Sequence, residues 1–365
     1  MVTTMPTAKA PQTRSASNMR STVALGAEFW NDSCAVHELQ EAVDLGATGA
    51  TSNPVIVSAV VKADLKTWQP VIDDLAARHA EATEDEIAWL LIETLGTRAA
   101  AVLDPVYRET AGRKGFLSMQ VNPKFYRSAR LMSEHGQKLA ALAPNVAIKV
   151  PATAPGLAAA EELVARGINV NVTVSFTLPQ AIAAAEALER GLDRAKAAGT
   201  DMTRLHPYVT LMVGRLDDLL QRLQVKESVA IEPGFLSWAG VAVFKKAHAI
   251  FSKRGYRSAL LSAAYRHHLH WSRLIGKGVV LSMPYAWWKQ FEASDVPVEE
   301  TLERPVEPRI VETLLRKFPE FERAYREDGI AAEDFVHYGA SVHTLNQFLG
   351  GYQDLLGLVR ERMVR

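Results

Sequence analysis

Apolar positions along the chain fall into short β-rich runs that alternate with stretches of helical spacing. The runs are 23–29 (VALGAEF), 46–51 (GATGAT), 115–121 (GFLSMQV), 146–150 (VAIKV), 168–174 (INVNVTV), 206–213 (HPYVTLMV), 258–263 (SALLSA) and 279–283 (VVLSM). Between them, apolar residues recur at helical intervals over 35–44, 84–110, 125–141, 157–165, 179–189, 236–254 and 284–292. Strands alternating with helices predict a parallel α/β sheet, and eight is the strand number of a (β/α)8 TIM barrel. A doubly wound sheet usually shows a Gly-rich phosphate loop after an early strand, and GATGAT lacks the G-x-G-x-x-G spacing. From about 300 the pattern is helical with no strand between. This predicts additional C-terminal helices packed on the barrel, within one domain over 21–365. The spacing loosens around 190–205 and 221–235, which suggests surface insertions.

Composition narrows the function classes. The chain has 365 residues, 48% of them hydrophobic, enough for a barrel-sized core. Lys+Arg and Asp+Glu are both 41, so there is no global basic field of the kind that favours nucleic acid. The longest apolar runs are too short to span a membrane. The single cysteine, Cys34, excludes an internal disulfide and a Cys-rich metal site, and it suits a reducing, cytoplasmic setting. Residues 1–20 are polar, with Lys9, Arg14 and Arg20 and no acid before Glu28. They read as a disordered tail, with a composition that also suits a transit peptide.

In a barrel of this type the reacting groups sit at the C-terminal ends of the strands. Asp32 follows strand 1. Thr51, Ser52 and Asn53 follow strand 2, Gln120 and Asn122 end strand 3, and Lys149 ends strand 4. Asn171 and Thr173 lie on strand 5, Thr210 and Arg215 bracket the end of strand 6, and Arg266 follows strand 7. Lys149 stands out as a cation inside an apolar strand. At a pKa of ~10.4 only about one lysine in 2,500 is neutral at pH 7. Burial lowers that pKa and makes the amine a nucleophile toward ketones. The product is a Schiff base, an electron sink that lets a neighbouring C–C bond break. Asp32 is placed to take a proton from a sugar hydroxyl, Asn53 and Asn171 to hold others, and Arg215 and Arg266 to grip a phosphate.

Each of these residues also has a structural reading. A strand lysine can be half of an ion pair. Asp32 suits an N-cap for 35–44, and Asn53–Pro54 suits a helix start. Arg215 and Arg266 suit salt bridges. HHLH at 267–270 has three histidines but no H-E-x-x-H spacing and no evident acidic partner, so no metal is expected there. Trp287 and Trp288 suit either helix–barrel packing or a subunit contact in a homodimer.

The motifs bear a resemblance to one family. GATGATSNPVIV is similar to the N-terminal signature of the transaldolases, whose core is T-[TS]-N-P. VAIKVPATAPGLAAAEEL resembles the family's segment around its Schiff-base lysine, and GINVNVTVSFTLPQA resembles the segment that follows it. VGRLDD and SAAYR are similar to the family's V-G-R-I-x-D and A-S-F-R. The resemblance runs in order over roughly 22–295. It implies a (β/α)8 barrel without metal or organic cofactor that moves a dihydroxyacetone unit between sugar phosphates, as in the pentose phosphate pathway. By that resemblance Lys149 is the Schiff-base lysine and Asp32 the catalytic aspartate. Thr51, Asn53, Asn171 and Thr173 bind or orient substrate, and Arg215 and Arg266 hold its phosphate. Thr210 is a further substrate-binding candidate from its place on strand 6.

Three positions depart from the family. Gln120 stands in SMQVNP where transaldolases have the glutamate of T-E-V-D, and the small fructose-6-phosphate aldolases also carry glutamine there. Met212 matches neither the aldolases' tyrosine nor the transaldolases' phenylalanine, although another alignment brings Tyr208 to that place. Ala264 replaces the serine beside the phosphate arginine. A glutamine has no ordinary acid–base role, so it would hold a water and leave proton transfer to Asp32. The departures keep other readings open: a fructose-6-phosphate-aldolase-like enzyme releasing free dihydroxyacetone, a pathway-specific transaldolase relative with another sugar substrate, and an inactive barrel with a binding role.

Overall fold

The computed structural model describes residues 17–364. Eight parallel strands close into a barrel in sequence order. They are β1 (Glu28–Asn31), β2 (Ala47–Thr51), β3 (Phe116–Gln120), β4 (Val146–Pro151), β5 (Val170–Thr173), β6 (Tyr208–Leu211), β7 (Ala259–Ser262) and β8 (Val279–Met283). β1 pairs with β8 to complete the ring. The (β/α)8 expectation and the C-terminal helices are both found.

Strand residues alternate between two apolar environments, as a barrel requires. Trp30, Phe116, Ala147, Tyr208, Leu261 and Val280 fill the lower interior. Phe29, Leu117, Ile148, Val150, Val172 and Val209 face outward into the layer shared with the helices. Burial on both faces explains why the strands read as continuous apolar runs rather than as alternating ones.

Four local expectations change. Strand 1 was expected at 23–29 but lies at Glu28–Asn31, because Asn18–Ala24 is a helix capped by the Ser17 hydroxyl. Gly26, at φ +96°, makes the turn between them. Of the expected tail, residues 1–16 lie outside the described residues, and Asn18, Met19 and Arg20 open this helix. The helix Leu178–Ala197 runs into the supposed insertion at 190–205, because Leu188, Gly191, Leu192 and Ala195 continue its buried stripe. The helix Val213–Lys226 likewise enters 221–235, seated by Val213, Leu216 and Leu220.

The C-terminal helix Gly339–Met363 crosses the mouth of the barrel. Its Leu345 and Phe348 line a small cleft with Gln120 and Thr173. Its Gly351 lies against Val55, so closely that a Cβ there would come within 2.9 Å of the Val55 Cα. Trp288 is fully buried and donates its indole N–H to Asn31 Oδ1 at 2.9 Å, so it serves helix–barrel packing. Among the described residues no helix is long and apolar enough to cross a membrane.

Candidate active site

Lys149 sits inside the barrel, 5% exposed, on a strand whose every residue is buried. The ladder places Gln120 of β3 on one side of it and Asn171 of β5 on the other. Burial lowers its pKa from the ordinary 10.5, and the Asp32 carboxylate opposes that shift. The ion-pair reading of Lys149 fails: no carboxylate is within salt-bridge distance among the described residues. This is a buried amine with an acid nearby but not bound to it.

Asp32 follows β1, and its carboxylate accepts the Thr51 hydroxyl proton. Thr51 Oγ1 also lies 3.3 Å from Ser282 Oγ. The capping reading of Asp32 fails, because Val36–Asp44 starts at Ala35 with no side-chain cap and Ser33 Oγ takes the Ala35 amide. Asn53, by contrast, does cap a helix. Its Oδ1 accepts from Val55 N at 2.9 Å and Ile56 N at 3.0 Å, which leaves only its amide N–H groups for a ligand.

Asn171 is fully buried, and two neighbours fix its amide. Nδ2 donates to Ser118 Oγ at 3.1 Å, and Oδ1 accepts from Thr210 Oγ1 at 2.7 Å. Thr210 therefore fixes Asn171. Thr173 is buried at the level above, its hydroxyl 3.9 Å from Met212 Sδ. Gln120 has a buried Oε1 without any partner among the described residues. A buried acceptor left open inside a polar pocket is a place for a ligand or water donor.

The two arginines differ sharply. Arg215 lies in the first turn of Val213–Lys226, whose N-terminus has no side-chain cap. Its Nε is buried without a partner among the described residues, and burial together with nearby Arg266 lowers its pKa. Arg266 is largely engaged: Nε and Nη2 bind the Asp218 carboxylate, and Nη1 binds the carbonyls of Ala264 and Tyr265. The salt-bridge reading thus holds for Arg266 and fails for Arg215. An open helix N-terminus with an unpaired guanidinium has the chemistry to receive an anion.

Residues 29–337 match the family described as Transaldolase/Fructose-6-phosphate aldolase. Transaldolase 1 of Streptomyces avermitilis is 31% identical over 259 residues, covering 65% of this chain and 68% of that protein. The transaldolase of Neisseria meningitidis serogroup A is 29% identical over 289 residues, covering 73% and 81%. Transaldolase 2 of Streptomyces avermitilis is 35% identical over a shorter stretch of 173 residues, 46% of this chain and 45% of that protein. The chain belongs to the transaldolase/fructose-6-phosphate aldolase family. It is an enzyme of the transaldolase type.

The departures from the family pattern now have places. Met212 is at the mouth beside Thr173, whereas Tyr208 packs against Trp30 with ring centres 4.8 Å apart in the lower barrel. The alternative alignment of Tyr208 is therefore excluded. Ala264 adopts a left-handed backbone, φ +64°, and its carbonyl lies against Gly214 so tightly that no side chain fits there.

HHLH does have an acidic partner, contrary to expectation. Asp217 Oδ2 meets His267 Nε2 at 3.0 Å and His270 Nε2 at 2.9 Å. The three bring ligand atoms within 4.8 Å of one another, the spacing of a metal site. However, the Arg266 amide donates to His270 Nδ1 at 3.1 Å, which puts the proton of the neutral ring on Nε2. That nitrogen then has no lone pair to offer a metal. Burial pushes the Asp217 carboxyl up, but the histidines and the Gly240 amide outweigh it and hold its pKa below the ordinary value.

Five participants escaped the sequence reading: Ser118, Ser282, Asp217, Asp218 and His270. Asp217 had a signal, since it falls in the same helical stripe as Val213, Leu216 and Leu220. A charge inside an apolar stripe needs a partner. Beside the site, a cavity of about 1080 Å³ opens from Asp32, with His37, Ile56, Trp68, Arg98 and Tyr285 on its walls.

Proposed function

We propose that this enzyme transfers a dihydroxyacetone unit from a ketose phosphate to an aldose phosphate through a Schiff base on Lys149. The observation that carries the reading is the buried, unpaired Lys149 amine with Asp32 as its nearby acid. The neutral amine adds to the ketone carbonyl, and loss of water leaves a protonated imine. Asp32 removes the proton of the C4 hydroxyl, and the C3–C4 bond breaks. Its electron pair moves into the imine and forms an enamine, while the aldose phosphate departs. The enamine then attacks the acceptor aldehyde, Asp32 returns the proton, and water releases the product. The fixed amide of Asn171 and the open Oε1 of Gln120 flank the reacting atoms. Arg215 takes the phosphate.

Borohydride reduction with a ketose phosphate, followed by mass spectrometry, tests this reading. The adduct is expected on Lys149, and an adduct on any other lysine would overturn it. Absence of any adduct would favour the inactive barrel. Gln120 supports a second reading, release of free dihydroxyacetone. Incubation with donor alone separates the two: a transferase releases little, a free aldolase turns over. The single buried Cys34 supports a cytoplasmic setting.

A further inference from the structure

Two consecutive aspartates hold Arg266 from opposite ends. Asp218 takes its guanidinium and leaves one N–H of Nη2 free. Asp217 takes its backbone at one remove. The Arg266 amide donates to His270 Nδ1, and His270 Nε2–H donates to Asp217 Oδ2. Asp217 Oδ1 accepts the Gly240 amide at 2.9 Å, at the start of the helix Ala239–Arg254. Both Asp217 and His270 are 0% exposed. Burying an ionised carboxylate is strongly unfavourable unless its oxygens are satisfied, so this arrangement is a built one.

The segment that it fixes is an unusual one. Ala264 is held left-handed, a conformation that persists only where the surroundings impose it. Gly214 presses on the Ala264 carbonyl from one side, and a Cβ on Gly214 would lie 2.8 Å from Arg266 Cγ. Arg266 is thus clamped through its main chain, its stem and its guanidinium. The result is a rigid partner for Arg215, one turn away on the helix that carries both aspartates.

We propose that Asp217 and His270 are positioning residues of the anion site. Through the Arg266 amide they set residues 263–266 so that the free N–H of Arg266 converges with Arg215 on the substrate's phosphate. This rests on the reading of Arg215 and Arg266 as an anion site.

Two substitutions separate the two bonds of the ring. His270→Gln keeps a donor near the Nε2 position and removes the acceptor for the Arg266 amide. His270→Asn keeps an acceptor near the Nδ1 position and removes the contact with Asp217. With the full chain, inorganic phosphate is the binding probe. Fructose 6-phosphate and unphosphorylated fructose are the paired substrates. His270→Gln should weaken phosphate binding and raise KM for fructose 6-phosphate by about three- to tenfold. Its kcat should stay within about twofold, kcat/KM for fructose should be unchanged, and His270→Asn, which keeps the acceptor for the Arg266 amide but loses the Asp217 anchor, should recover only part of the loss. Equal losses on both substrates, or unaltered phosphate affinity, would overturn the proposal. Should His270→Gln not fold, the isosteric Asp217→Asn decides on the same readouts. If Arg215→Ala keeps normal phosphate affinity, the anion-site reading itself falls, whatever the His270 variants do.

Discussion

Asp218 binds Arg266 through Nε at 3.0 Å and Nη2 at 2.7 Å, while Arg215, one turn earlier on the Asp218 helix, has no carboxylate within salt-bridge distance among the described residues. The two arginines are therefore unequal. Arg215→Ala removes a free guanidinium and should raise KM for phosphorylated substrates by about 10- to 100-fold, the worth of a charge-assisted contact. Arg266→Ala strands the Asp218 carboxylate next to the anion site, and repulsion should add to the loss. Adding Asp218→Asn should then restore much of the phosphate affinity of Arg266→Ala and little of that of Arg215→Ala. Titration with inorganic phosphate checks both, and an equal rescue would refute the inequality.

Lys149 carries a cost that its function requires. A buried lysine with a lowered pKa is charged in the unfolded chain at pH values where the fold would have it neutral. The unfolded state then binds more protons, so this group's contribution to stability rises with pH from the lowered pKa up to 10.5 and is flat beyond. Lys149→Met should abolish borohydride trapping yet raise the melting temperature at pH 7. The gain should shrink as pH approaches 10.5. In the intact enzyme kcat/KM should climb with pH, with a midpoint below that of an ordinary lysine. A midpoint at or above 10.5 would show that burial does not activate this amine.

Asp32 acts after the imine forms. Asp32→Asn keeps the shape and the contact with Thr51 but removes the base. Turnover should fall by about 10²–10⁴, the usual share of general acid–base catalysis, while the reducible adduct on Lys149 still forms. Loss of the adduct along with turnover would move Asp32 to an earlier step.

The barrel was legible because its strands are buried on both faces and its helices on one, two patterns with different periods. Strand 1 was misplaced because Val23, Ala24 and Leu25 are apolar for another reason, in or at the end of a helix on the barrel's N-terminal side. Lys149 was legible as a cation in an apolar run. The Thr210–Asn171–Ser118 chain was only half legible. It joins three strands, and inward positions on separate strands come together only when the barrel closes. Asp218 was hidden for a different reason: on an exposed helix face an aspartate beside arginines looks like any surface ion pair, and only the fold brings Arg266 to it.

Gly214→Ala tests the close approach beneath the two arginines. Alanine suits a helix interior better than glycine. Here its methyl would run into the Ala264 carbonyl and reach Arg266 Cγ at 2.8 Å. The expected outcome is destabilisation of about 1–3 kcal/mol by denaturant unfolding, with phosphate affinity reduced beyond what partial unfolding explains. A neutral or stabilising result would mean that the helix can shift away from the loop.

Gln120→Glu addresses the departure that most separates this chain from the transaldolase pattern. Gln120 faces Lys149 across the β3–β4 ladder, and its Oε1 is buried without a partner. A carboxylate in its place would enter a pocket that already holds Asp32. One of two outcomes follows for the acids: repulsion raises a carboxyl pKa, or the new charge pairs with Lys149. Pairing favours the ammonium form, which is the unreactive one. Either way activity at pH 7 should fall, and the acidic limb of the pH–rate profile should move to higher pH. A gain in transfer between ordinary pentose phosphate pathway sugars would mean the opposite. Glutamate would then have restored a water-mediated proton transfer, and the pocket would still be that of a glutamate-using transaldolase. The amide's neutrality is what leaves Lys149 subject to burial without a second opposing charge, so a fall in activity is the expected result.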